Sequence, residues 1–126
     1  MPALNFKKQF APLVKAGCKQ HTIRGWRKRP FKVGDTLSFF TGSRFKPVRI
    51  RCDALCMAAV PIEVNAHHRY VIISEGSRHY KAGRLDDHSL KVLALIDGFD
   101  SLEEFFQFFK ETHQGLLCGQ LIEWSP

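Results

Sequence analysis

Residues 47–65, PVRIRCDALCMAAVPIEVN, most restrict what this chain can become. Val48, Ile50 and Cys52 alternate there with Arg49, Arg51 and Asp53. A period of two sends neighbouring side chains to opposite faces, which suits an extended strand with one face in the core and one in water. The segment reads as a long β region, with Pro61 marking a bend or an edge because proline has no amide hydrogen for a ladder. Shorter stretches read as strands too: ALNF, HTIRGW, TLSFFTG from Thr36, RYVIIS and GQLIEW.

Helical spacing appears in only three places. Phe6, Phe10, Leu13 and Val14 recur along one face and Gly17 stands where a C-cap belongs, which predicts a helix over 7–16. LDDHSLKVLALIDGF takes Asp86 or Asp87 as its cap and ends at Asp97-Gly98. Ser101-Leu-Glu-Glu104 is a capping box, followed by a face of Leu102, Phe105, Phe106, Phe108 and Phe109 that reads as core. RKRPFKVGD is a loop punctuated by Pro30 and Gly34-Asp35, and EGSRHYKAGR is a hairpin or loop. No repeat or linker divides residues 1–126, so one domain is expected. Its class is α+β, a mostly antiparallel, closed or partly closed β-barrel of five to six strands with about three flanking helices.

A chain of 126 residues with 44% hydrophobic positions and 11 phenylalanines can build a core without staples. No run approaches the roughly 20 apolar residues of a membrane helix. MPALNFKKQF lacks the apolar stretch of a signal peptide, so a cytoplasmic protein with no membrane partner is expected. Cys18, Cys52, Cys56 and Cys118 then read as free thiols, packed mostly as small hydrophobes. Cys52 and Cys56 followed by His67-His68 hint at a metal. The usual zinc knuckle has two residues between its cysteines and a tight turn, not three on a strand, so neither metal nor cofactor is expected.

Charge is the most informative part of the composition. The chain carries a formal net +7, distributed unevenly. Residues 1–60 hold thirteen lysines and arginines against two acids, a net +11, while residues 61–126 hold six against ten, a net −4. So one-sided a positive potential favours a polyanion such as nucleic acid. Arg24, Arg27, Lys28, Arg29 and Lys32 surround Trp26, offering cations for phosphates and an aromatic face for a base. Arg44 and Lys46 extend this patch if the two loops are neighbours. The competing reading is a solvated loop with Trp26 folded beneath it.

Five segments in order resemble a known family. Gly17-x-Lys19-x-x-Thr22-Ile23-Arg24 resembles the signature of ASCH domains, a group of the PUA-like superfamily. Val33-Gly34-Asp35-Thr36-Leu37 resembles its strand entry, and Thr41-Gly42-Ser43-Arg44 a turn of its small prophage-type members. Asp97-Gly98-Phe99 with Ser101–Phe105 resembles its late helix, and Gly119–Trp124 its closing strand. The resemblance implies a PUA-like barrel with a cleft beside the signature strand. It also implies single-stranded RNA or a nucleoside as partner, and either RNA cleavage or amide hydrolysis of an acylated cytidine.

Strand parity puts Thr22 and Arg24 on one face and Ile23 on the other, in the core. Lys19 is read at the bend after Gly17, swinging toward Thr22. A desolvated lysine near Arg24 has a lowered pKa and can act as base or proton shuttle. Thr22 would hold a water or a carbonyl, or itself be the nucleophile. The resemblance implies a carboxylate on the Ser101-capped helix, with Glu104 preferred over Glu103. A box glutamate also has a purely capping role. His67, His68 and His21 read as surface or packing residues, His67 and His68 on opposite faces of a strand. The alternative to hydrolysis is a non-catalytic RNA-binding module using loop 24–32. The oligomeric state is left open between monomer and weak homodimer.

Overall fold

The computed structural model describes residues 2–43 and 45–126, so Arg44 of the expected basic patch lies outside the described residues. In chain order the elements are β1 (Ala3–Phe6), α1 (Ala11–Ala16), β2 (His21–Gly25), β3 (Thr36–Gly42), β4 (Pro47–Asn65) and β5 (Tyr70–Ile73). They continue with β6 (Gly83–Arg84), α2 (Asp87–Ile96), α3 (Leu102–His113) and β7 (Leu116–Trp124). The class is α+β with three helices and a mostly antiparallel sheet. Seven strands are paired among the described residues, beyond the five or six expected, and the sheet is not closed.

β4 organises everything else. Its 19 residues pair with β3 along the first half and with β7 along the second, and Ile62–Asn65 also pair with β5. β7 carries β2 on its other side, and β3 carries β1 as the one parallel pair. β1, β2 and β6 each have a single strand partner among the described residues.

The even-numbered side chains of β4 face the core only from Ala54 onward. Val48 and Cys52 are exposed and Ile50 is half-buried, because the first third of the strand runs with β3 beyond the packed interior. Pro61 sits one residue outside the β5 ladder. Its carbonyl accepts from Ser74 N at 3.1 Å, and its ring nitrogen, on the same side, has no hydrogen to return the bond, which fits the ladder starting at Ile62.

The core joins Phe6, Phe39 and Trp124 in edge-on contacts, with centroids 4.6–5.9 Å apart. Each such pair adds about 0.5–1.5 kcal/mol beyond its buried area. α3 seals it with Phe105, Phe106 and Phe109. β2 and β7 approach so closely that a Cβ on Gly119 would overlap the Arg24 carbonyl oxygen. Among the described residues no helix is long and apolar enough to cross a membrane.

Several local expectations change. α1 starts at Ala11 rather than at residue 7, because residues 7–10 form a turn that precedes Pro12. Only Cys56 among the four free cysteines is buried. His67 and His68 lie in the turn between β4 and β5, not on a strand, and His67 Nε2 is 3.0 Å from Gln114 O.

Candidate functional site

Two of these end strands, β1 and β2, meet at the site. No ladder joins β1 to β2 among the described residues. A side chain spans the gap instead: Arg24 Nη2 donates to Asn5 O at 2.7 Å, with the guanidinium 5.0 Å from the Phe6 ring centre. Beside this bridge lies a cavity of about 450 Å³. Phe6, Phe10, Phe99 and Phe108 supply its apolar wall; Lys19, Thr22, Arg24 and Asp97 supply most of its polar one.

Gly17 ends α1, and the amides of Cys18 and Lys19 both donate back to Leu13 O. The next amide, Gln20 N, donates to Ile96 O at 3.2 Å, which ties this bend to the end of α2. Lys19 is thereby carried inward until only 3% of it is exposed. Its ammonium donates to Asp97 O at 2.6 Å and Asp97 Oδ1 at 2.8 Å, and lies 4.9 Å from the Phe10 ring centre.

Asp97 caps the C-terminus of α2, where an acid opposes the helix dipole. Gly98 follows at φ +97°, a left-handed turn that lets Gly98 N and Phe99 N close on Leu95 O and Ala94 O. The same Asp97 Oδ1 lies 3.1 Å from His21 Nδ1. A carboxylate can only accept, so Nδ1 carries the hydrogen. Nε2 lies 2.9 Å from the Tyr80 hydroxyl, which can donate to it or accept from it according to the state of the ring. Lys19, Asp97, His21 and Tyr80 thus form one buried polar chain.

The electrostatics follow from burial. Desolvation lowers the Lys19 pKa, against the opposing pull of Asp97; Arg24 adds only a minor push in the same direction. Arg24 is also lowered by burial. Burial works to raise Asp97, yet the Lys19 charge and the His21 hydrogen bond outweigh it and hold the carboxyl below its ordinary value. Tyr80 is pushed well up by burial and by the nearby Glu123 and Asp97.

Of the residues singled out from sequence, the cavity brings together Lys19, Thr22 and Arg24. Thr22 and Arg24 do share a face, with Arg24 Nε donating to Thr22 Oγ1 at 3.1 Å, and Ile23 is buried. Glu104 stands elsewhere. It is exposed on the first turn of α3, its amide donates to Ser101 Oγ, and its Oε2 accepts from Asp100 N at 3.3 Å. It therefore works as a capping residue, and the carboxylate in the cavity is Asp97.

Trp26 is exposed (53%), and Arg27, Lys28, Arg29 and Lys32 are exposed around it. The loop is not a free flap. Gln120 clamps Phe31 from both sides, accepting from its amide at 2.9 Å and donating to its carbonyl at 2.8 Å, and Arg27 lies over the Phe31 ring. Lys46 does not join this loop; it lines a groove with Lys7 and Lys8.

Sequence reasoning passed over three members of the site. Asp97 had one legible signal, an acid at the wrong end of a helix. His21 is fully buried and holds Asp97, although it alternates with Thr22 along β2. His113 lines the cavity from the last turn of α3, with its pKa lowered by burial and by Lys7 and Arg24. Set beside known protein families, curated proteins and solved structures, the chain matches none.

Proposed function

We propose that this chain is a PUA-like domain of the ASCH group whose cavity holds an acylated cytidine, as the nucleoside or within RNA, and hydrolyses its amide. One observation carries the reading: a buried Lys19–Asp97 pair beside Thr22 and Arg24 in a cavity with aromatic walls. A volume of about 450 Å³ falls in the range that encloses a small planar ligand. The Phe10, Phe99 and Phe108 rings suit a base.

In this reading the Arg24 guanidinium and the Thr22 hydroxyl hold the acyl carbonyl oxygen and stabilise the charge that develops on it. Thr22 Oγ1 already accepts from Arg24, so its own hydrogen is free to point at the substrate. Lys19 in its neutral form takes a proton from the attacking water and returns it to the departing exocyclic amine as the C–N bond breaks. Its lowered pKa makes that form more accessible than in an ordinary lysine. Asp97 stabilises the ammonium between the two transfers, and His21 with Tyr80 fixes the Asp97 carboxylate in place. If the substrate is instead a phosphodiester of single-stranded RNA, His113 at the cavity wall is the group placed to accept a 2′-hydroxyl proton.

The test incubates wild type and Lys19→Met with N4-acetylcytidine and with single-stranded RNA. Loss of a general acid–base group predicts a fall of about 10²–10⁴ in the rate on one substrate. Equal rates for the two proteins on both substrates would remove Lys19 from any catalysis. A second reading, a binding module without chemistry, is favoured by the exposed Trp26 in the basic loop. It expects Trp26→Ala to weaken RNA binding by about 1–3 kcal/mol while Lys19→Met leaves binding unchanged.

A further inference from the structure

The cavity does not end at its rim. A second hollow of about 630 Å³ shares Asn5, Phe6 and Lys7 with it and continues past the end of β1 to Gly42, Ser43, Lys46 and Val48. A third, of about 350 Å³, shares Lys8 and Val48 with the second and runs between α1 and the exposed first third of β4. The three hollows follow one another in a row, each sharing lining residues with the next, from the Lys19–Asp97 pair out to the surface.

The charge of this groove is of one sign. Lys7, Lys8, Lys46, Lys15 and Arg49 follow one another along it, all exposed. Asp97 is the one acid lining any of the three hollows, and it is taken by Lys19 at the inner end. None of the five groove cations is in an ion pair with a carboxylate among the described residues. Five unneutralised cations on a track that ends in a base-sized, aromatic-walled cavity match a chain with one phosphate per unit and one base to insert.

We infer that the cavity receives its ligand as one nucleotide of a single-stranded polynucleotide, whose phosphates run along this groove past the end of β1. The inference rests on the cavity being the ligand site proposed above, and it makes a strand, not a free nucleoside, the natural substrate. It also moves the main phosphate contacts away from loop 26–32. That loop lines none of the three hollows.

The probe is a labelled oligocytidylate of about ten nucleotides, a length within the range such grooves bind. Affinity is measured against salt for wild type, for Lys8→Gln/Lys46→Gln in the groove and for Lys28→Gln/Arg29→Gln in the loop. All four positions are exposed, and the thermal midpoint of each variant checks that the fold is kept. Five phosphate contacts predict a slope of log K on log salt of about −3.5, falling to about −2.1 in the groove variant. At about 0.1 M salt that variant should bind about 25-fold more weakly, while the loop variant stays within about twofold. An unchanged groove variant, or a larger loss in the loop variant, overturns the inference. So does polyglutamate of the same length competing as well as the oligonucleotide, which would mean an acidic protein partner. Catalysis is read separately with N4-acetylcytidine, which carries no phosphate, and with an oligocytidylate carrying one N4-acetylcytidine. If neither is hydrolysed but the groove variant loses affinity as stated, the groove stands and the hydrolytic reading falls. Hydrolysis with no effect of the groove variant on the oligonucleotide means the reverse.

Discussion

Two carboxylates lie buried on either side of His21, and they are treated very differently. Asp97 accepts from Lys19 and from His21, and its burial is matched by a counter-charge 2.8 Å away. Glu123 stands opposite His21 across the β2–β7 ladder, is 1% exposed, and has no hydrogen-bond donor on either oxygen among the described residues. The His79 ring lies beside it, with Nε2 3.4 Å from Oε2. Burying a charge is costly unless it is paired and hydrogen-bonded, so the first acid is built into a site and the second is a liability in the core. The same stretch of sheet thus holds one polar group that the fold fully supports and one that it tolerates.

The largest effect should come from breaking the supported pair. Asp97→Ala strands the Lys19 ammonium in the interior and should cost about 3–5 kcal/mol in urea unfolding. The double variant Lys19→Met/Asp97→Ala removes both partners and should recover much of that loss, because an apolar filling leaves no charge unpaired. If the two losses simply add, the pair is not the unit described here. Next comes Tyr80→Phe, which leaves the buried His21 Nε2 without its hydrogen-bond partner and should cost about 1–3 kcal/mol.

Glu123→Gln should move stability the other way. It keeps the shape and removes a carboxyl group whose two buried oxygens have no hydrogen-bond partner among the described residues, so about 1 kcal/mol of stabilisation is expected. Destabilisation by that amount would show that Glu123 is as well supported as Asp97, and the contrast would collapse.

The finest test is acid titration. Asp97 has a folded pKa below its ordinary 3.8, so the folded state binds fewer protons than the unfolded chain in that window. The stability it contributes is full above 3.8 and is lost as pH falls through the folded value. Asp97→Asn should therefore flatten the acid limb of the unfolding curve, while Glu123→Gln serves as the matched comparison. Lys19 gives the same sign of slope in a higher window: its folded pKa is lowered, so stability rises as pH climbs from that value toward the ordinary 10.5.

Much of this architecture was legible in local patterns. The 47–65 strand, the Asp86 and Ser101 caps and the Gly17 stop all rest on interactions within a few residues, which a sequence displays directly. Lys19, Thr22 and Arg24 were legible for the same reason, because one bend and one strand place them. The carboxylate was not: Lys19 and Asp97 are 78 positions apart, and Glu104 looked equally acidic on the neighbouring helix. Nothing local tells an acid turned inward at a helix C-cap from one that closes a capping box.

By itself, then, the sequence determined the period of each element, where most of the helices begin and end, and the basic bias of its first half. Those depend on backbone geometry, caps and side-chain type alone. Only the tertiary structure decided that the sheet stays open between β1 and β2, that Arg24 spans the gap, and that Asp97 and not Glu104 meets Lys19. The physical reason is that closure and burial depend on which distant surfaces exclude water together. A carboxylate acquires its partner and its shifted pKa only when α2, the Lys19 bend and β2 are packed against one another.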